Sequence, residues 1–337
     1  MHDRKEQKYN NPFSAVWTGI AELFRKYEPA GELKPGDRLD GKTVLVDGAS
    51  SGLGYAIAME AARRGARVIM ACRSGIPGKG EAIKNATGNR DVHMVFVDFT
   101  DFNSIRELVS VIRDKFSPID ILICNSAVVT RTSRMTEAGF DEMFQVNYLS
   151  KFYYINLLLK GNVFRKEPVP RIIVVSSESH RNPDDFGWDS FGQYMPFGIG
   201  KSVEIYGFNK LYLATFVAEL ARRLNPGEKT SYSVLSLCPG PINSNIAREA
   251  PKIFHPLMKL VFGIFFRSPE KAAVPVIYLA ASKDLEGKKS DYLFLMSRKE
   301  IDPKAADPEN GKLLWEKTVA LLQSQPILFK KSPPPVL

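Results

Sequence analysis

The sequence predicts an α/β fold: a single doubly wound domain built on a seven-stranded parallel sheet. Three observations carry this. From Lys42 onward, short β-branched runs alternate with longer segments of helical period, the pattern of a parallel sheet covered by helices on both faces. The alternation runs to about residue 325 with no internal repeat and no convincing second domain. A glycine-rich turn, Asp47-Gly48-Ala49-Ser50-Ser51-Gly52-Leu53-Gly54, follows the first strand and opens the first helix.

The expected strands, in order, are 43–46, 67–71, 93–97, 119–123, 171–175, 231–237 and 292–295. Each is a short apolar run rich in Val, Ile or Leu, as a strand buried on both faces requires. The expected helices between and after them are 53–64, 102–116, 136–159, 206–224, 269–281 and 311–322. Two segments fall outside this plan: residues 1–40, an N-terminal extension, and 326–337, a Pro-rich tail, flank a domain of residues 41–325. In the extension Phe13, Val16, Trp17, Ile20 and Phe24 recur at helical spacing and form one apolar stripe. Such a stripe packs on its own protein, on a sister subunit of a homodimer, or on a membrane surface as a peripheral contact.

Composition excludes several classes. Cys72, Cys124 and Cys238 are odd in number and far apart, which reads as a reducing compartment without structural disulfides. The four histidines are scattered, so no metal site is expected. The formal charge of +9 is dispersed along the chain and accompanies no nucleic-acid motif, so nucleic acid is not an expected partner. No apolar run reaches the roughly 20 residues needed to span a bilayer, and the polar start carries no secretory signal. A cytoplasmic protein, or one resting on a membrane from that side, is expected.

The glycine turn is the first functional element. Glycines there let backbone N–H groups approach a pyrophosphate whose charge sits at the helix N-terminus, which names Gly48, Ser50, Ser51, Gly52, Leu53 and Gly54 as cofactor-binding candidates and the fold as Rossmann-type. The second strand ends Ala71-Cys72-Arg73-Ser74, where an acid would select the free 2′-hydroxyl of NAD(H). A guanidinium pairs instead with a 2′-phosphate. NADP(H) is therefore expected in preference to NAD(H).

With these residues in place, the sequence resembles the short-chain dehydrogenase/reductase family over roughly residues 40–325. The Gly48 turn is similar to the family's Thr-Gly-x-x-x-Gly-x-Gly, Asp98 falls where the family contacts adenine, and Cys124-Asn125-Ser126-Ala127 stands for Asn-Asn-Ala-Gly. Asn147 in Gln145-Val146-Asn147-Tyr148, Ser177 after the fifth strand, Tyr206-Gly207-Phe208-Asn209-Lys210, and Pro239-Gly240 with Ile242 and Ser244 match further family motifs in the family's order. The resemblance implies that Asn147, Ser177, Tyr206 and Lys210 are catalytic. It also implies that Asp98, Asn125, Tyr206, Lys210, Pro239, Gly240, Ile242 and Ser244 contact the cofactor. Ala71-Cys72-Arg73, the Ser177 to Tyr206 spacing and Leu313-Leu314-Trp315-Glu316-Lys317 look like the retinol-dehydrogenase branch, which implies a lipophilic carbonyl–alcohol pair such as a retinoid or steroid. Cys124-Asn125-Ser126-Ala127-Val128 also resembles light-dependent protochlorophyllide reductase, a double-bond reductase, although that branch has a longer insertion before its tyrosine.

In this reading Tyr206 donates a proton to the carbonyl oxygen. Lys210, one turn onward, lowers the phenol's pKa from near 10 and holds the nicotinamide ribose. Ser177 hydrogen-bonds the oxygen as charge develops, and Asn147 anchors a water that relays protons to Lys210. Ser177 with His180 could suggest an esterase, but no Gly-x-Ser-x-Gly surrounds it. Two departures bear on affinity: Asp47 stands where the family has threonine, its charge unfavourable beside a phosphate unless held away, and Ser126-Ala127 alters the Asn-Asn-Ala-Gly turn. Those departures keep open a sensor or scaffold that binds NADP(H) without turnover. The apolar run 253–266 suits either a small lipophilic substrate's channel pressed to a membrane or a buried lid helix.

Overall fold

The computed structural model describes residues 27–242 and 267–325. Within it β1 (Thr43–Asp47), β2 (Arg67–Cys72), β3 (Val92–Phe96), β4 (Ile121–Cys124), β5 (Arg171–Val175), β6 (Ser233–Cys238) and β7 (Ser290–Phe294) pair in parallel, in the order β3-β2-β1-β4-β5-β6-β7. Every residue of β1, β4 and β6 is buried, which is why these strands read as unbroken apolar runs. The strand order reverses between β1 and β4, so their carboxyl ends open a crevice at the point where doubly wound sheets bind ligands.

The sheet has one strand more than expected. β8 (Ser297–Arg298) folds back antiparallel on β7 through a two-residue turn in which Leu295 adopts φ 60°. Two residues leave no periodicity to detect, and a leucine is a poor turn signal. The N-terminal extension then covers this edge. Ala30 N–H donates to Met296 O at 2.8 Å, Arg298 N–H to Glu28 O at 2.8 Å, and the Tyr278 hydroxyl to Ala30 O at 2.7 Å. Residues 27–30 thereby satisfy backbone groups that an open edge would expose.

Helices cover both faces. α1 (Gly52–Arg63) and α6 (Pro269–Ala281) form one layer, where Ala56, Ile57, Ala61, Val276 and Ile277 pack on Val44, Val46 and Leu235. α2 (Gly78–Thr87) was not expected from the sequence. It buries only Gly80 and Ile83, too little apolar surface to leave a helical period. On the other face lie α3 (Phe102–Val111), α4 (Ser150–Lys160), α5 (Ile199–Leu224) and α7 (Pro308–Gln323), packed around Phe102, Phe152, Phe216 and Trp315.

Two boundaries differ from expectation for local reasons. The helix expected from residue 136 begins at 142, because Thr136 N–H closes a turn onto Phe140 O and Asp141 caps the amides of Met143 and Phe144. It then passes through a π-helical turn, Gln145–Leu149, before α4. α5 starts at Ile199 rather than 206; its first turns carry few buried side chains and so leave no apolar period to read. Among the described residues no helix is long and apolar enough to cross a membrane. The Phe13 to Phe24 stripe, Ser244, the apolar run 253–266 and the tail 326–337 lie outside the described residues.

Candidate active site

The crevice between β1 and β4 is built by the glycine turn. Gly48 takes φ 64° and Gly52 φ 54°, the left-handed region that glycine enters without steric cost. A Cβ on Gly54 would stand 2.3 Å from Gly48 O and 2.5 Å from Asn125 Nδ2, so the turn and the start of α1 are in direct contact. Ser51 caps α1 without using its side chain, and the first turn contains no acid. The leading N–H groups of α1 therefore point out of the turn without a side-chain acceptor, an arrangement that suits an anion. Asn125 holds the other wall: its Nδ2 donates to Asp47 O at 3.1 Å and to Gly48 O at 3.4 Å. Its side chain thus fixes the turn from β4.

Asp47 is fully buried, and its charge is compensated by a buried cation. Oδ1 accepts the Asn125 N–H at 2.8 Å and the Ser126 N–H, while Oδ2 pairs with Lys151 Nζ at 2.9 Å. Lys151 also hydrogen-bonds Ser126 Oγ. Lys151 is a site residue that sequence reasoning missed. Its signal was a lone lysine in the apolar run Tyr148 to Leu159, four residues beyond Asn147 on the same helix face.

Arg73 lies at the end of β2, 63% exposed, with Nη1 3.6 Å from Asp98 Oδ2. Asp98 also accepts from Thr100 N–H and Oγ1. The guanidinium and the carboxylate therefore share one edge of the crevice, with the cation facing solvent.

The catalytic candidates converge at the ends of β5 and α5. Ser177 caps a 3-10 turn, Glu178–Arg181, donates from Oγ to Ser179 Oγ at 3.1 Å, and lies close enough to the Tyr206 hydroxyl to oppose the rise in its pKa. Lys210, buried on α5, donates from Nζ to Val175 O at 3.2 Å and lies 5.6 Å from the centre of the Tyr206 ring. Burial pushes Lys210 down to about 8, and the nearby Lys151 ammonium acts in the same direction. Tyr206 departs from expectation. Burial raises its phenol above the usual value, opposed by the nearby Ser177 hydroxyl. Lys210 gives one of its three N–H groups to the Val175 carbonyl, and enclosure outweighs charge at the hydroxyl. A phenol held neutral is a proton donor.

Asn147 sits in the π-helical turn, its side chain closed on the loop after β4. Val128 N–H donates to Oδ1 at 2.8 Å, and Nδ2 donates to Val128 O at 2.8 Å. Any water it anchors must meet its main-chain carbonyl. Gly240 turns the chain after β6 at φ 76°, and Ile242 bridges to Arg267.

His180, which the sequence offered only as an esterase partner, supports Ser177 from below. His180 is fully buried; its Nδ1 lies 2.7 Å from Ser177 O, and its Nε2 accepts the Asp302 N–H at 3.1 Å. Nδ1 must then carry the proton and donate to the Ser177 carbonyl. Neither nitrogen faces Ser177 Oγ, which removes the esterase arrangement. Beside it, Glu178 accepts from the Tyr292 hydroxyl at 2.6 Å, from Arg181 Nε at 3.1 Å and from Lys299, and these cations hold its carboxyl below the ordinary value against the effect of burial.

Burial also pushes the His180 imidazole down to about 4. A base whose folded pKa is depressed stabilises the fold above its unfolded pKa and loses that contribution as pH falls toward the folded value. Between pH 7 and pH 5 the wild type is expected to lose roughly 2 kcal/mol that the variant His180→Asn does not, read from urea unfolding at both pH values. Parallel losses in the two proteins would refute it.

The chain matches the family model for short chain dehydrogenases over residues 42–187. It is 31% identical to human Retinol dehydrogenase 13, covering 97% of this chain and 99% of that protein. It is 33% identical to human Retinol dehydrogenase 14, covering 82% and 85%. A solved short chain dehydrogenase from Shigella flexneri superposes with a TM-score of 0.61 at 19% identity, over 82% of this chain and 99% of that one. A solved protein from Mycobacterium paratuberculosis gives 0.63 at 26% identity, over 88% and 97%. Similarity along nearly the whole of both chains makes this protein a member of the short-chain dehydrogenase/reductase family, of the retinol-dehydrogenase-like kind, and hence an oxidoreductase of the alcohol–carbonyl class.

Proposed function

We propose that the protein interconverts a lipophilic carbonyl compound and its alcohol, using NADP(H) in preference to NAD(H). The observation that carries this is the grouping of Ser177, the Tyr206 phenol and the buried Lys210, 5.6 Å from the Tyr206 ring, in a fold whose glycine turn has amides that suit a diphosphate. Gly48, Ser50, Ser51, Gly52, Leu53, Gly54 and Asn125 would hold the dinucleotide, which supplies the hydride when bound. Ser177 and the Tyr206 hydroxyl hydrogen-bond the substrate oxygen, and Tyr206 transfers its proton as negative charge develops there. Lys210 faces the phenolate that results and resupplies the proton. The exposed position of Arg73 supports a 2′-phosphate.

A lipophilic substrate is supported by exposed apolar residues on the two segments that leave β4 and enter α5. The loop after β4 and the segment before α5 are joined by Ser133 N–H to Phe197 O at 3.1 Å and by the Tyr194 hydroxyl to Ser133 Oγ at 3.1 Å. Along these segments Met135 is 60% exposed, Met195 46% and Ile199 61%, an apolar rim of the kind found at binding surfaces. The names of the retinol dehydrogenase relatives point to the same substrate class.

The test is oxidation of NADPH and NADH with retinal, a steroid ketone, a long-chain aldehyde and a small polar ketone. Turnover of the long substrates with NADPH is expected, and Arg73→Ser should raise the KM for NADPH about 10-fold or more while leaving NADH nearly unchanged. Equal use of the polar ketone would refute the lipophilic reading. Dinucleotide binding without turnover of any carbonyl would favour a sensor or scaffold.

A further inference from the structure

A carboxylate at the end of β1 is not what a phosphate-binding turn calls for. Asp47 immediately precedes Gly48, and its side chain is fully buried. Its Oδ1 gathers the amides of Asn125 and Ser126 and so ties β1 to β4 at the floor of the crevice. A neutral acceptor would serve those amides equally well. The second oxygen meets Lys151 at 2.9 Å, and the Lys151 side chain is only 2% exposed. The ammonium reaches Ser126 Oγ and lies 3.8 Å from the centre of the Phe99 ring. The helix that carries Asn147 thus also delivers a cation beneath the glycine turn.

We infer that Asp47 and Lys151 are an interdependent pair of positioning residues that sets affinity for the anionic dinucleotide, Lys151 cancelling the charge that Asp47 places under the diphosphate. The inference rests on the dinucleotide reading of the turn. Two opposite charges in contact present little net field at the turn, whereas either one alone, enclosed in protein, is poorly screened by solvent. Removing the ammonium leaves a buried anion that repels the diphosphate. Removing the carboxylate leaves a buried cation that attracts it. A merely structural pair would weaken binding in the same direction whichever partner is lost, so the sign of the effect separates the two accounts.

The experiment is fluorescence titration of NADPH into the full-length protein and three variants, with thermal unfolding recorded for each. Lys151→Met is expected to raise the Kd about 10-fold or more, the scale of coupling between contacting groups. Asp47→Thr should stay within about threefold of wild type or bind more tightly, since threonine still accepts a backbone N–H. The double variant Asp47→Thr/Lys151→Met should return to within about threefold of wild type, and it tests the pair even where Lys151→Met alone fails to fold. Equal weakening by the two single substitutions, or a double variant as weak as Lys151→Met, would overturn the inference. Failure of the wild type to bind NADPH or NADH would instead overturn the dinucleotide reading itself.

Discussion

Tyr206→Phe is expected to lower kcat for carbonyl reduction by about 10²–10⁴-fold, the usual contribution of a positioned proton donor, while the Kd for NADPH changes little. The substitution removes one oxygen from a half-buried ring, and the amide cradle of the glycine turn does not involve it. Stopped-flow or steady-state NADPH oxidation measures the first quantity and fluorescence titration the second. Retention of more than a tenth of the wild-type rate would end Tyr206's role as donor. The pH dependence supplies a companion test. Burial sets Lys210 near 8, so its ammonium is present below that value and lost as pH rises through it. The Tyr206 phenol is shifted upward and stays neutral across the same range. Reduction is therefore expected to fall above about pH 8 as Lys210 deprotonates, and Lys210→Met should abolish the remaining pH-dependent limb along with most of the activity.

Gly54→Ala is expected to weaken dinucleotide binding by about 100-fold or to unfold the turn. The added Cβ would lie 2.3 Å from Gly48 O, a backbone atom that cannot move without displacing Gly48 and the Asn125 amide that clasps it. Overpacking of this kind costs about 1–3 kcal/mol where the surroundings yield, and here they are the binding surface. Gly52 offers the contrast: no atom lies within 4 Å of its Cβ position, and only its φ of 54° constrains it. Gly52→Asn should accordingly be mild, because asparagine tolerates that conformation. Binding by Gly54→Ala within threefold of wild type would show that the turn is not the dinucleotide cradle.

Much of this site was legible before any coordinates. The central parallel strands are apolar runs because both faces are covered, and such runs announce themselves in composition. The glycine turn, Asn147, Ser177 and the Tyr206–Lys210 spacing are local patterns in which residue type and interval already encode the chemistry. What stayed hidden was of two kinds. α2 and β8 are held by few buried side chains and so leave weak periodicity. Lys151, His180 and Glu178 act through partners 104, 122 and 121 residues away, namely Asp47, Asp302 and Lys299, separations that no window of sequence spans.

Asp47 marks the division most clearly. Sequence by itself determined that a carboxylate occupies the head of the glycine turn and that Tyr206 and Lys210 share a helix face, because those facts depend on chain neighbours and helical pitch. Only the tertiary structure decided what those groups experience. Packing of α4 against β1 brings the Lys151 ammonium to the Asp47 carboxylate and turns a repulsive charge into half of a neutral pair. Packing of α5 onto the end of β5 raises the Tyr206 phenol and lowers Lys210. The physical reason is the same in each case: charge and proton affinity depend on desolvation and on groups within a few ångströms, and those neighbours are chosen by the fold rather than by the order of residues.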